Sequence, residues 1–262
     1  AYPEMKKYNY DKRLAVGTLA GAGTLGILIP PSLSMVFYGV ITEVSIGALF
    51  MAGLIPGIIL ALAFSGFICI VAILKPSLAL PGPSFSWRQR LEGSRWMWVF
   101  PFIFLLVIGG IYGGIFTPTE AAAAGSFFAI AVCAVTRRLS WKRFTDSLAE
   151  TGRLTAMVFA IIIGGMLYAR FLVLTGVIPA AVRLITGLPV SPHLIVVGLI
   201  PVWCVMGMFL DIYGMMILAI LVCFPVILEL GFDPVFFGVF VTIMCETALL
   251  TPPVGVNTYV AK

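Results

Sequence analysis

Charged side chains are scarce in this sequence: Lys, Arg, Asp and Glu make up only 10% of it. An ordinary soluble domain carries about 25%. Histidine is scarcer still, with His193 the single example. The five cysteines (Cys69, Cys133, Cys204, Cys223, Cys245) form no Cys-x-x-Cys pair and lie scattered in apolar stretches. They therefore read as small buried hydrophobes rather than metal or redox groups. Missing too are a Gly-x-Ser-x-Gly elbow, a His-Glu-x-x-His pair, a Walker loop and an aspartate-rich metal motif. No enzyme chemistry is expected, and without a nucleotide site any pumping must run on an ion gradient. No cleavable signal peptide is visible. The opening thirteen residues, with Lys6, Lys7, Lys12 and Arg13, read as a polar loop entered midway through a larger protein.

What the sequence has in excess is apolar side chains, at 61% of its residues with a mean hydropathy of +1.13. A water-soluble chain of this length needs more polar surface than that; a lipid bilayer removes the need. The net charge of +5 does not point to nucleic acid, because the basic residues sit in short polar gaps between apolar runs, as the positive-inside rule expects. Apolar runs of membrane-spanning order occupy 14–41, 46–74, 96–117, 120–136, 154–178, 193–230 and 235–261. The gap 75–95 carries Lys75, Arg88, Arg90 and Arg95 with three prolines and reads as a loop. The gap 137–153 carries Arg137, Arg138, Lys142, Arg143 and Arg153 and fits a short amphipathic interfacial helix. Counting crossings from a cytoplasmic start puts every basic gap on the cytoplasmic side.

Two apolar helices are interrupted. One reads Gly23-Thr24-Leu25-Gly26-Ile27-Leu28-Ile29-Pro30-Pro31-Ser32; the other runs from Cys245-Glu246-Thr247 to Thr251-Pro252-Pro253-Val254-Gly255-Val256-Asn257. Proline removes an amide donor and clashes with the carbonyl four residues earlier, at ~3 kcal/mol in a helix interior. In lipid, freed backbone groups are tolerated where protein, water or an ion satisfies them. Unwound carbonyls suit sodium, and the amides of the next half-helix suit an anion. Aligning the Pro-Pro pairs sets Thr24 opposite Glu246, each six residues before its first proline. The crossing count points the two helices in opposite directions, the mark of an inverted repeat. Two readings stand: each pair only kinks a packed helix, or the pairs build an ion site.

A third interruption, Gly207-Met208-Phe209-Leu210-Asp211, divides the run 193–230. Asp211 is either the N-cap of a helix starting at Ile212 or a ligand for a cation or substrate, and the two are compatible. Glu120, after Thr117-Pro118-Thr119, reads as helix capping. Glu43 falls at an outer boundary, Arg170 inside a span where it snorkels, pairs or binds substrate, and His193 at a helix start in a structural role. Trp96, Trp98 and Trp141 fall at membrane edges, as interfacial anchors do.

Four stretches together resemble the large membrane subunit of tripartite ATP-independent periplasmic (TRAP) transporters. They are YPEMKKYNYDKRLAVGTLAGAGTLGILIPPS, GGIYGGIFTPTEAAAAG, GMFLDIYGMMILA and GFDPVFFGVFVTIMCETALLTPPVGVN. The resemblance implies an all-α polytopic membrane protein of the ion transporter superfamily, an inverted-repeat elevator-type transporter with helical hairpins and discontinuous helices. It implies sodium-coupled uptake of an organic acid in the bacterial inner membrane. The implied partners are a periplasmic substrate-binding protein and a small membrane subunit; Na+ is the coupling ion, and no other cofactor is implied. A symporter of the same superfamily that needs no binding protein is the alternative, and a non-conducting assembly subunit has no use for unwound midplane backbone.

The implied organisation places a first-repeat unwound helix in 1–45, a scaffold helix and cytoplasmic loop in 46–95, second-repeat helices in 96–178, and the second hairpin and unwound helix in 193–262. A first hairpin is implied before residue 1 and a further helix after 262, so the chain as given is not expected to transport alone. Candidate sodium-binding residues are Gly23, Thr24, Gly26, Pro30, Gly207, Thr251, Pro252 and Gly255. Candidate substrate-cavity residues are Ser32, Asp211, Pro253 and Asn257. The chain departs from the family pattern at Ala22, where glycine is common, and at Leu221, where proline is frequent; the latter change is expected to straighten the hairpin helix.

Overall fold

A computed structural model describes residues 2–79, 86–94, 97–207 and 209–250. Every regular element among them is helical, so the chain is an all-α polytopic membrane protein. Helix α1 spans Tyr2–Lys7, α2 Lys12–Leu28, α3 Leu33–Thr42 and α4 Ile46–Leu74; a 3-10 turn follows at Pro76–Leu78. Next come α5 (Trp87–Gly93), α6 (Val99–Tyr112), α7 (Pro118–Val135) and α8 (Trp141–Leu174). The chain continues through α9 (Val177–Thr186), α10 (Pro192–Gly207) and α11 (Ile212–Leu218), then a π-helical turn at Ala219–Cys223, α12 (Phe224–Glu229) and α13 (Pro234–Leu250). Among the described residues, five stretches are long and apolar enough to cross a membrane: Lys12–Thr42, Ile46–Leu74, Pro118–Val135, Trp141–Leu174 and Ile212–Glu229.

The chain divides into two compact units, residues 80–156 and the remainder. In the smaller unit α6 packs on α7, with Phe102 and Phe128 rings 4.4 Å apart. Helix α7 starts at a capping box. The Glu120 amide donates to Thr117 Oγ1 at 3.3 Å, and the Thr117 amide donates to Glu120 Oε2 at 2.8 Å. The helix-capping role expected for Glu120 is thus present in the structure.

In the larger unit α4 serves as the wall for the α2–α3 segment. Its outward side, with Ile55, Ile59, Leu62 and Ile73, is exposed and apolar throughout. Its inward side carries Gly53 and Gly57, four residues apart and therefore on one helix face. A Cβ on Gly53 would fall 3.2 Å from the Leu28 carbonyl oxygen, and one on Gly57 2.8 Å from Ile29 Cγ1. This small-xxx-small pair lets the interrupted backbone lie directly on α4, as close helix packing in membranes requires.

Two expectations change. The separate interfacial helix expected over 137–153 is instead the opening stretch of the 34-residue helix α8. No proline or glycine pair interrupts the sequence around Arg153, so nothing ends the helix there. At Leu221, where a plain straight helix is expected, the backbone widens into the π turn at Ala219–Cys223. Its physical cause is Pro225, which has no amide and crowds the carbonyl four residues back, that of Leu221 itself. The Phe224 amide accordingly donates to the Ala219 carbonyl, five residues earlier.

Candidate ion and substrate site

The first interruption is visible atom by atom. Helix α2 closes with the Ile29 amide donating to the Leu25 carbonyl at 2.9 Å. The next two residues are prolines, so the carbonyls of Gly26 and Ile27 lose their helical donors. The Ser32 hydroxyl donates to the Ile27 carbonyl and also accepts the Met35 amide at 3.3 Å, which starts α3. Ser32, only 1% exposed, therefore reaches both halves of the interrupted helix. Removing the hydroxyl strands two backbone groups together, the buried Met35 amide and the half-buried Ile27 carbonyl. Ser32→Ala is expected to destabilise the folded chain by about 2 kcal/mol. Heating in detergent followed by size-exclusion chromatography reads this as a lower midpoint of monodisperse recovery.

Thr24 is likewise 1% exposed and donates its hydroxyl to the Gly21 carbonyl at 2.8 Å. That hydrogen is committed, so the Thr24 oxygen can act only as an acceptor or cation ligand. Pro30 is buried, whereas Gly23 and Gly26 lie on the exposed side of α2. The structure thus splits the four α2-segment candidates between two faces.

Helix α13 meets α2, α3 and α4 on one side and α10 and α11 on the other. A Cβ on Gly238 would lie 2.6 Å from both Leu49 Cδ2 and Tyr38 Cε1, which fixes the first side. Thr242 and Glu246 follow Gly238 at successive four-residue steps along that face, and both are buried. On the opposite face, Ala248 lies where a Cβ on Gly207 would be, 1.9 Å from the Ala248 Cβ and 2.9 Å from its Cα. Gly207, expected near a sodium ion, is in this structure the point where α10 and α13 touch. Cys245, buried beside it, faces the Ile212 carbonyl at 4.0 Å.

Asp211 takes the capping position. Its carboxylate accepts the Gly214 amide at 3.2 Å and the Tyr213 amide at 3.3 Å, and its side chain is exposed. Arg170 is exposed and lines an apolar groove of about 850 Å³ between α8 and the α11–π-turn stretch. His193 packs edge-on to Phe232, with ring centroids 5.3 Å apart. The remaining candidates, Thr251, Pro252, Pro253, Gly255 and Asn257, lie outside the described residues.

Glu246 is not among the sodium or substrate candidates that the sequence pattern names. It is 3% exposed, and among the described residues neither carboxylate oxygen has a hydrogen-bond partner. The signal was present: an acidic residue deep in an apolar run, aligned with Thr24 across the two Pro-Pro pairs.

Comparison with known proteins agrees with this helical membrane architecture. The family described as "Tripartite ATP-independent periplasmic transporter, DctM component" matches residues 1–262. The chain belongs to this family. Among curated TRAP relatives, the C4-dicarboxylate TRAP transporter large permease protein DctM of Pseudomonas aeruginosa is 36% identical over 260 residues, covering 98% of this chain and 60% of the relative. The ectoine/5-hydroxyectoine TRAP transporter large permease protein UehC of Ruegeria pomeroyi is 32% identical, covering 99% of the chain and 60% of the relative. The sialic acid TRAP transporter large permease protein SiaM of Vibrio cholerae is 30% identical, covering 98% and 60%. The chain thus spans about three fifths of the length of these TRAP permeases.

Proposed function

We propose that this chain forms the greater part of the large permease of a sodium-coupled secondary transporter. The permease takes an organic acid from a periplasmic binding protein and works with a small membrane subunit in the bacterial inner membrane. It acts as a carrier rather than an enzyme, by an elevator movement of its interrupted helices. The observation that carries this reading is the interruption at 29–32 inside the apolar stretch Lys12–Thr42, which leaves the Gly26 carbonyl without its helical donor and hands the Ile27 carbonyl to the Ser32 hydroxyl, with the buried Thr24 in the preceding turn. Backbone of this kind at membrane depth is what an ion site in a secondary transporter uses. The relatives named for C4-dicarboxylates and sialic acid support a carboxylate-bearing solute.

The test is solute counterflow in proteoliposomes holding the permease that contains this chain, its small subunit and its binding protein. Uptake is expected to require sodium. Thr24→Ala is expected to raise the sodium concentration for half-maximal uptake by about tenfold, the loss of one oxygen ligand at ~1.4 kcal/mol. Unchanged uptake when potassium replaces sodium would overturn the coupling. Equal sodium dependence in the variant would remove Thr24 from the site.

A further inference from the structure

The buried carboxylate of Glu246 has no partner among the described residues and calls for compensation. An ionised group buried at membrane depth carries a penalty of several kcal/mol unless an opposite charge meets it. The helices packed on α13 supply almost none. Helices α3, α4, α11 and α12 contain no basic residue, and α10 offers only His193, in its first turn. Lys12 and Arg13 stand at the start of α2, eleven or more residues before Thr24, which is roughly 16 Å along the helix axis. The described part of α13 has no basic residue either.

Thr24 completes the picture. It is the polar member of the buried face of α2, which also carries Ala20, Gly21 and Leu28, and α2 packs on α13. Its hydrogen is given to Gly21, so it cannot donate to Glu246. Among the described residues neither Glu246 oxygen has a hydrogen-bond partner, so its negative charge is met by no protein donor there. A small hard cation suits both groups: it neutralises the carboxylate and draws on the free lone pairs of the Thr24 oxygen.

We propose that Glu246 supplies the negative charge of a sodium site at the contact of α2 and α13, with the Thr24 hydroxyl as a neutral ligand. This rests on the sodium-coupled reading above. Sodium bound here removes the buried charge and lets the pair of helices cross the lipid as an electrically neutral unit. Without sodium, the bare carboxylate opposes that movement.

The experiment measures binding of radiolabelled sodium to the detergent-purified permease complex containing this chain, alongside uptake at several pH values. Glu246→Gln keeps the shape and removes the charge; it is expected to weaken sodium binding by about tenfold or more. Glu246→Asp keeps the charge but withdraws it by one methylene and is expected to weaken binding several-fold less than the amide does. It provides the reading if the amide variant does not elute as a monodisperse species, and undiminished binding in it then overturns the proposal. A wild-type complex that binds no sodium defeats the sodium-coupled reading itself. Sodium binding in the wild type that the amide variant matches in affinity and number defeats only the placement at Glu246. An amide variant that binds sodium normally but loses the pH dependence of uptake identifies a proton carrier, and likewise overturns the proposal.

Discussion

Gly207→Ala is expected to produce one of the largest losses of stability available from a single methyl group in this chain. The added Cβ would lie 1.9 Å from the Ala248 Cβ and 2.9 Å from the Ala248 Cα, so the obstacle is backbone rather than a side chain that can rotate away. Met215 Sδ, 3.2 Å off, closes a further direction of escape. Overpacking in a tight core typically costs about 1–3 kcal/mol, and a backbone collision belongs at the upper end. The measurement is heat-resistant monodisperse recovery of the permease in detergent. The reciprocal change sharpens it: Gly207→Ala combined with Ala248→Gly removes the Cβ–Cβ collision and is expected to recover much of the loss. Additive effects in the double variant would show that the two positions do not meet. A variant that is fully stable but weak in sodium binding would favour the ligand role that the sequence pattern suggested for Gly207.

Tyr38→Ala is expected to have an effect of similar size by the opposite route, emptying space instead of overfilling it. Tyr38 is fully buried, and its ring meets Phe224 and Phe237 at centroid distances of 6.1 and 6.4 Å. Its hydroxyl donates to the Pro234 carbonyl at 2.7 Å, tying α3 to the start of α13 across 196 residues of sequence. In lipid the transfer part of a large-to-small change shrinks, since the surroundings are already apolar, but lost dispersion contacts and the cavity remain. The expected loss is on the order of 3 kcal/mol, with Tyr38→Phe losing about 1 kcal/mol through the hydrogen bond alone. Equal stability of the phenylalanine and alanine variants would show that the ring contributes nothing.

These residues mark the line between what was legible in the sequence and what was not. The interruption at Pro30-Pro31, the capping box of Thr117 and Glu120 and the cap at Asp211 were readable because their chemistry is local. A proline acts on the carbonyl four residues back, and a cap acts on amides two or three residues on. Failure came where the cause lay elsewhere. At Leu221 the family pattern favours a proline, while the proline that shapes the turn in this chain is Pro225. The contact of Gly207 with Ala248, 41 residues away in the chain, leaves no mark in the local sequence. Glu246 shows in the sequence only as an acid in an apolar run; its burial and its lack of a partner among the described residues are properties of packed helices. The continuity of α8 was missed because basic residues were read as a boundary, when a helix longer than the lipid is thick can carry them on its protruding turns.

The Ser32 hydroxyl has one last implication. A gap in a helix usually suggests looseness, yet here a single side chain grips the last turn of one arm and the first turn of the other. The connection behaves as a pinned joint: the angle between α2 and α3 stays set while the pin is in place. Force applied to either arm is handed to the other with little bending between them.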